Sequence, residues 1–260
     1  MSAADLTSLL PLAAAASLVL SRALGATATG CGLPGLDVRV RVGVGLALAL
    51  IVGPVVGPSL ASRVPMDPIG LGLAVAAEAA IGLGLGLATG LIVSAARQAG
   101  DLIGVQAGLS PMVLLDPLDP EAAGSTSLGQ LHGWLALVAF VALGGPVAGV
   151  DGLIGSYHAL PAAAWRPDPS GLSPLLERMG EAVGLAVRAA SPGVLALLAA
   201  GVVMTLLGRA GAGMGLLALA LPVRWGVGVG ATILTLGVAA SLYGDAWARF
   251  LLGLSGGSGP

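Results

Sequence analysis

The side chains able to do chemistry are few and gather in one stretch. Glu78 stands alone in an apolar run from Ile69 to Ala96. An ionisable group inside such a run can bind a proton or a cation, or it can pair with an arginine of a neighbouring helix. Just downstream, Arg97, Gln98, Asp101 and Gln106 fall within ten residues. Neither lipid nor a helix core calls for that density of polar groups, so the segment must line water, face another protein or sit in a pathway. Asp101, Asp116, Asp119 and Glu121 fit no calcium loop, which needs acids at alternate positions around a central glycine. They read as solvated or path-facing acids. Ser125 to Ser127 with His132 lacks both a Gly-x-Ser-x-Gly turn and a supporting acid, so His132 reads as a polar contact between helices. Gly82-x-Gly84-x-Gly86 lies inside a helical run and follows no strand, which removes a dinucleotide loop. The expectation is therefore no catalytic residue, no cofactor and no metal.

The polar stretch runs into an apolar loop, Leu109-Ser-Pro-Met-Val-Leu-Leu115, closed by Asp116-Pro117. Pro111 stops any helix continuing from Gly108. Irregular backbone at membrane depth must be buried in protein or line an aqueous path. Leu109, Met112, Val113, Leu114 and Leu115 can therefore form an apolar constriction that blocks a path. They can equally form an interfacial loop dipping among lipid headgroups.

The elements that must position these groups follow from composition. Of 260 residues, 56% are hydrophobic and 9% charged, with a mean hydropathy of +0.98. Soluble domains carry about 25% charged residues, so the chain reads as an all-α, polytopic membrane protein. A net charge of -2 gives no reason to expect nucleic-acid binding. The lone Cys31 excludes an intrachain disulfide. Asp5 and the lack of an N-terminal basic cluster speak against a signal peptide. Gaps between charges suggest about six apolar helices: Leu6 to Ser21; Val42 to Ser62, interrupted by Pro54 and Pro58; Ile69 to Ala96; Leu128 to Val150; Val183 to Gly208; and Trp225 to Gly244. Arginines divide almost evenly between the two sides of such a set, so the positive-inside rule assigns no orientation. Gly82, Gly86 and Gly90, then Gly100, Gly104 and Gly108, recur at every fourth residue. Rows of this kind let helix backbones approach closely in lipid.

At these residues the chain resembles the FliR/SctT family, the R subunits of the flagellar type III export gate and its virulence counterparts. The resemblance spans most of the chain. It rests on Pro34 and the stretch Val38-Arg39-Val40-Arg41-Val42-Gly43, on Glu78 with Gly82, Gly84 and Gly86, and most closely on Gln98, Gly100, Gly104, Gln106, Gly108, Leu109, Asp116-Pro117 and Leu128-Gly129. Gly144-Gly145, Ser156 and Pro161 fit a further block. Pro146 stands where the family often has histidine, and the C-terminal block lacks the family's asparagine.

The resemblance implies a core membrane component of a bacterial protein-export gate, with no bond chemistry. In the family, one R subunit assembles helically with several FliP-like and FliQ-like subunits, beside a FlhB-like subunit, around a path for unfolded substrates. Carried over, Leu109, Met112, Val113, Leu114 and Leu115 are the plug. Glu78, Arg97, Gln98, Asp101, Gln106 and Asp116 face the path or another subunit. The location implied is the bacterial inner membrane, in the flagellar basal body, with residues 1–260 forming a single integral membrane domain of helices bent at Pro and Gly into hairpins. A virulence secretion gate is the alternative within the family. A proton-coupled small-solute transporter using Glu78 is the alternative outside it, although no internal repeat of the usual transporter kind is visible.

Overall fold

The computed structural model describes residues 3–29, 37–109, 125–162, 173–210 and 216–254. Among these, seven helices and no strand occur: α1 (Ala3–Ala28), α2 (Val38–Leu60), α3 (Pro68–Gln106), α4 (Ser127–Ala142), α5 (Gly145–Ala159), α6 (Ser173–Ala210) and α7 (Leu216–Leu254). Five of them are long and apolar enough to cross a membrane, and α4 with α5, taken together, make a sixth. Their outward surface is itself apolar: Leu50, Ile69 and Leu234 are each more than three-quarters exposed. A soluble monomer rarely tolerates such a coat, whereas lipid or a neighbouring apolar subunit covers it at no cost.

Four of the differences from the hydropathy reading bear on the site. Pro54 and Pro58 do not interrupt α2, which runs through both from its N-cap at Asp37, where the carboxylate accepts from the Arg39 N–H (2.9 Å). Membrane helices tolerate proline because neighbouring groups satisfy the freed carbonyls. Arg22 does not end α1: the helix continues to Ala28, with Arg22 buried inside it. The run Leu128 to Val150 is two helices. Gly144 stands between them at φ +74°, a conformation natural to glycine, and Pro146 occupies the first turn of α5, where its missing N–H is harmless. Finally, α7 starts before Trp225 and takes in both Pro222 and Arg224.

The chain divides into two compact units, with α3, α6 and α7 each contributing a segment to both. One unit comprises residues Met1–Leu91, Gly144–Met179 and Ala248–Pro260. In it α1 and α2 pack as a hairpin, and the core is built from Leu18, Val19, Val52, Val56, Leu60, Leu153 and Tyr157. The other comprises Ile92–Leu143 and Gly180–Trp247. Its core is rich in alanine (Ala95, Ala96, Ala99, Ala186, Ala189, Ala190), with Ile103, Leu128, Leu197 and Tyr243 filling the gaps. Small residues bring helix axes close, which in lipid replaces the hydrophobic drive available in water.

Candidate functional site

Two polar junctions lie along α3, one in each unit. The first is built on the glycine row. A methyl group on Gly82 would lie 2.9 Å from the Ala26 nitrogen, and one on Gly25 would lie 2.9 Å from the Leu83 nitrogen. Without those methyls, α1 and α3 run backbone against backbone. Ser21 then donates to the Val75 carbonyl (2.7 Å). Arg22, on the same face, reaches Glu78, its Nε donating to Oε2 (2.5 Å). Both side chains are 0% exposed. Arg22 Nη1 donates to the Ser156 hydroxyl (2.9 Å) and Nη2 to the Leu160 carbonyl (3.0 Å), which ties in the end of α5. The guanidinium carbon lies 3.8 Å from the centre of the Tyr157 ring, a cation–π contact. Each nitrogen of the guanidinium is thus engaged. A buried charge is tolerable when it is paired and further hydrogen bonds engage its other atoms, and here the pair to Glu78 is joined by bonds from both terminal nitrogens.

The second junction joins the last turns of α3 to the first turns of α4. Here the glycines interlock. A methyl on Gly100 would lie 2.6 Å from the Leu128 carbonyl carbon, and one on Gly104 would lie 2.8 Å from Thr126 Cβ. On α4, Gly129 makes room for the Asp101 carboxyl and Gly133 for the aliphatic part of Arg97, each at 2.6 Å from an added methyl. Asp101 Oδ1 accepts from the Thr126 N–H (2.6 Å) and from the hydroxyls of Thr126 (2.9 Å) and Ser125 (3.0 Å). Thr126 in turn caps α4 by accepting from the Gly129 N–H (3.0 Å). Further along, buried His132 Nδ1 and the Tyr243 hydroxyl share a bond of 2.6 Å. Trp247 Nε1 donates to the Ala136 carbonyl (2.9 Å) and stacks at a tilt on Phe140. His132 is thus a polar contact between helices, as its lack of catalytic company suggested.

Of the residues singled out by sequence, Glu78 and Asp101 have their carboxylates engaged by groups of this chain. Gln98 is exposed, and Arg97 and Gln106 are half-exposed. Gly82, Gly86, Gly90, Gly100 and Gly104 are all buried. Gly108 adopts φ +81° where α3 ends, and Leu109 packs on the core of its unit, its N–H bonded to the Gly104 carbonyl (2.8 Å). Met112, Val113, Leu114, Leu115 and Asp116 lie outside the described residues. Sequence reasoning passed over Gly133 and Tyr243, weighed Ser125 and Thr126 only for hydrolase chemistry, and placed Arg22 beyond the end of the first helix. The one available signal for Arg22 was that Ala-Leu-Gly-Ala-Thr-Ala continues helix-compatible sequence beyond it.

The family model for bacterial export proteins, family 1, matches residues 13–250. The chain belongs to this family. It is therefore a component of a bacterial export gate of the type III/flagellar secretion class, a structural member of that apparatus. The match runs through both junctions and all seven helices. With its apolar helices, membership makes it a membrane protein that works beside other subunits of the export apparatus. No curated protein matches the chain at a significant level.

Proposed function

We propose that this export-family chain is the R-type subunit of a flagellar gate in the bacterial inner membrane, at the flagellar basal body. It joins FliP-like and FliQ-like subunits, beside a FlhB-like one, to enclose a conduit for unfolded substrates. The observation that carries this reading is the family match over residues 13–250, nearly the whole chain. The loop Leu109 to Leu115 serves as the plug, displaced by substrate. Leu109 is its described end, rooted on α3 through the Gly104 carbonyl. Gln98, Gln106 and Arg97 are the polar residues available to the path or to a neighbouring subunit, since each keeps some exposure in this chain.

No observation favours a small-solute transporter. That mechanism asks Glu78 to take up and release an ion, whereas its carboxylate is fully buried against Arg22, whose other donors hold Ser156 and Leu160. The test is deletion of the gene followed by complementation. Loss of flagella and of secreted flagellar proteins, restored by the intact gene, is the expected result. Normal flagella, with loss confined to secreted virulence proteins, would overturn the flagellar assignment.

A further inference from the structure

Asp101 lies about a turn and a half before the end of α3, and its carboxylate meets the segment that enters α4. Among the described residues, the donors that reach it there are neutral: the Thr126 N–H and the hydroxyls of Thr126 and Ser125, with the Ser125 hydroxyl also 3.2 Å from Oδ2. Gly129 leaves the space the carboxyl fills. Three residues further along α3, Gly104 holds both chain ends. Its carbonyl accepts from the Leu109 N–H, and its bare α-carbon is where Thr126 rests. The chain thus leaves α3 and re-enters helix at the same residue, and Asp101 fastens the re-entry point.

We propose that Asp101 is a positioning residue of the gate, acting as a hydrogen-bond acceptor that fixes the first turn of α4 on α3, and not as a charge offered to substrate or ions. This rests on the export-gate reading. It makes a sharp distinction between two small substitutions. An asparagine places an oxygen where Oδ1 stands, accepts from Thr126 and offers its amide to the Ser125 hydroxyl. An alanine removes the acceptor and strands the Thr126 N–H. A path-facing acid working by charge would be disabled by both.

The experiment places each variant in the chromosomal gene. It measures substrate export in cells and amide hydrogen exchange in the complex purified from them. Asp101→Asn is expected to keep export within about twofold and to keep Thr126 and Gly129 protected. Asp101→Ala is expected to lower export and to speed exchange at both amides about tenfold or more, the scale of one lost charge-assisted bond. Ser125→Ala, which removes one donor, should fall between them. Should Asp101→Ala prevent accumulation of the complex, the asparagine variant still decides. Loss of export in Asp101→Asn with Thr126 and Gly129 still protected would overturn the inference, because charge would then be what matters. Unchanged protection in Asp101→Ala would overturn it as well. In both of those cases deletion of the gene still abolishes export, so the gate reading stands. Normal export after deletion removes the gate reading, and the role of Asp101 in it.

Discussion

Replacing Arg22 by alanine should cripple this protein while leaving Arg97, Gln98 and Gln106 untouched. The substitution removes three hydrogen bonds, to Glu78, Ser156 and Leu160, and the guanidinium on the Tyr157 ring. It also leaves the Glu78 carboxylate at 0% exposure without its cation. Breaking a buried pair from one side costs about 3–5 kcal/mol, most of it from the abandoned charge. Against a total stability of about 5–15 kcal/mol, that is enough to deplete the folded protein. Glu78→Ala should cost a similar amount, since it strands the arginine. Removing both partners should cost far less than the sum. In Arg22→Met/Glu78→Met neither charge remains, the Ser156 hydroxyl keeps its bond to the Leu153 carbonyl (2.6 Å), and apolar replacement of a buried pair is often near neutral. The coupling between the two sites, taken against the single Arg22→Met and Glu78→Met variants, should therefore exceed about 2 kcal/mol. The assay is thermal unfolding of the detergent-extracted protein, followed by size-exclusion, alongside its abundance in cells. Additive losses in the double variant would refute the reasoning. So would a Glu78→Gln protein that accumulates and unfolds normally yet fails to export, since it would make Glu78 an ion site.

The glycine contacts separate two classes of position. Gly86→Leu should destabilise severely and block complex purification, because an added methyl already lies 3.0 Å from the Ala26 carbonyl carbon, whereas Gly43→Ala, with open space around it, should be neutral or gain up to about 1 kcal/mol of helix propensity. Tyr243→Phe leaves buried His132 Nδ1 without its partner and should lower stability by about 1–3 kcal/mol in the same unfolding assay. Replacing Met112 to Leu115 with serine should raise ion leak through reconstituted complexes while leaving assembly intact, and unchanged leak would remove the plug role.

Fold class was legible because it depends on quantities that add up along the chain: apolar runs too long for strands, and charge too sparse for a soluble domain. Helix ends depend on single residues and were read less well. The first apolar run stops at Ser21 because the next residue, Arg22, is charged, and its partner, Glu78, is 56 residues away. Pro54 and Pro58 read as interruptions in the sequence, although a helix in lipid has more reason to stay helical than one in water. At the α4–α5 break the signal, Gly144-Gly145-Pro146, was present, but hydropathy runs through it unchanged. Gly82, Gly86 and Gly100 lie against a neighbouring helix, and Gly104 lies against Thr126, the cap of α4. What spacing within one helix does not reveal is which helix fills the groove. For the same reason, the partners of Asp101 could not be read from its neighbours: Ser125 and Thr126 lie beyond the apolar loop.

The central claim is that this chain works as a fixed part of a multi-subunit export gate. The most direct measurement is mild detergent extraction of the epitope-tagged chain from its own bacterium, at native expression, with mass spectrometry of what co-purifies. The account predicts one stable complex containing FliP-like and FliQ-like membrane subunits. A chain that purifies alone, or with none of those subunits, while the same preparation recovers them in a separate complex, would contradict it.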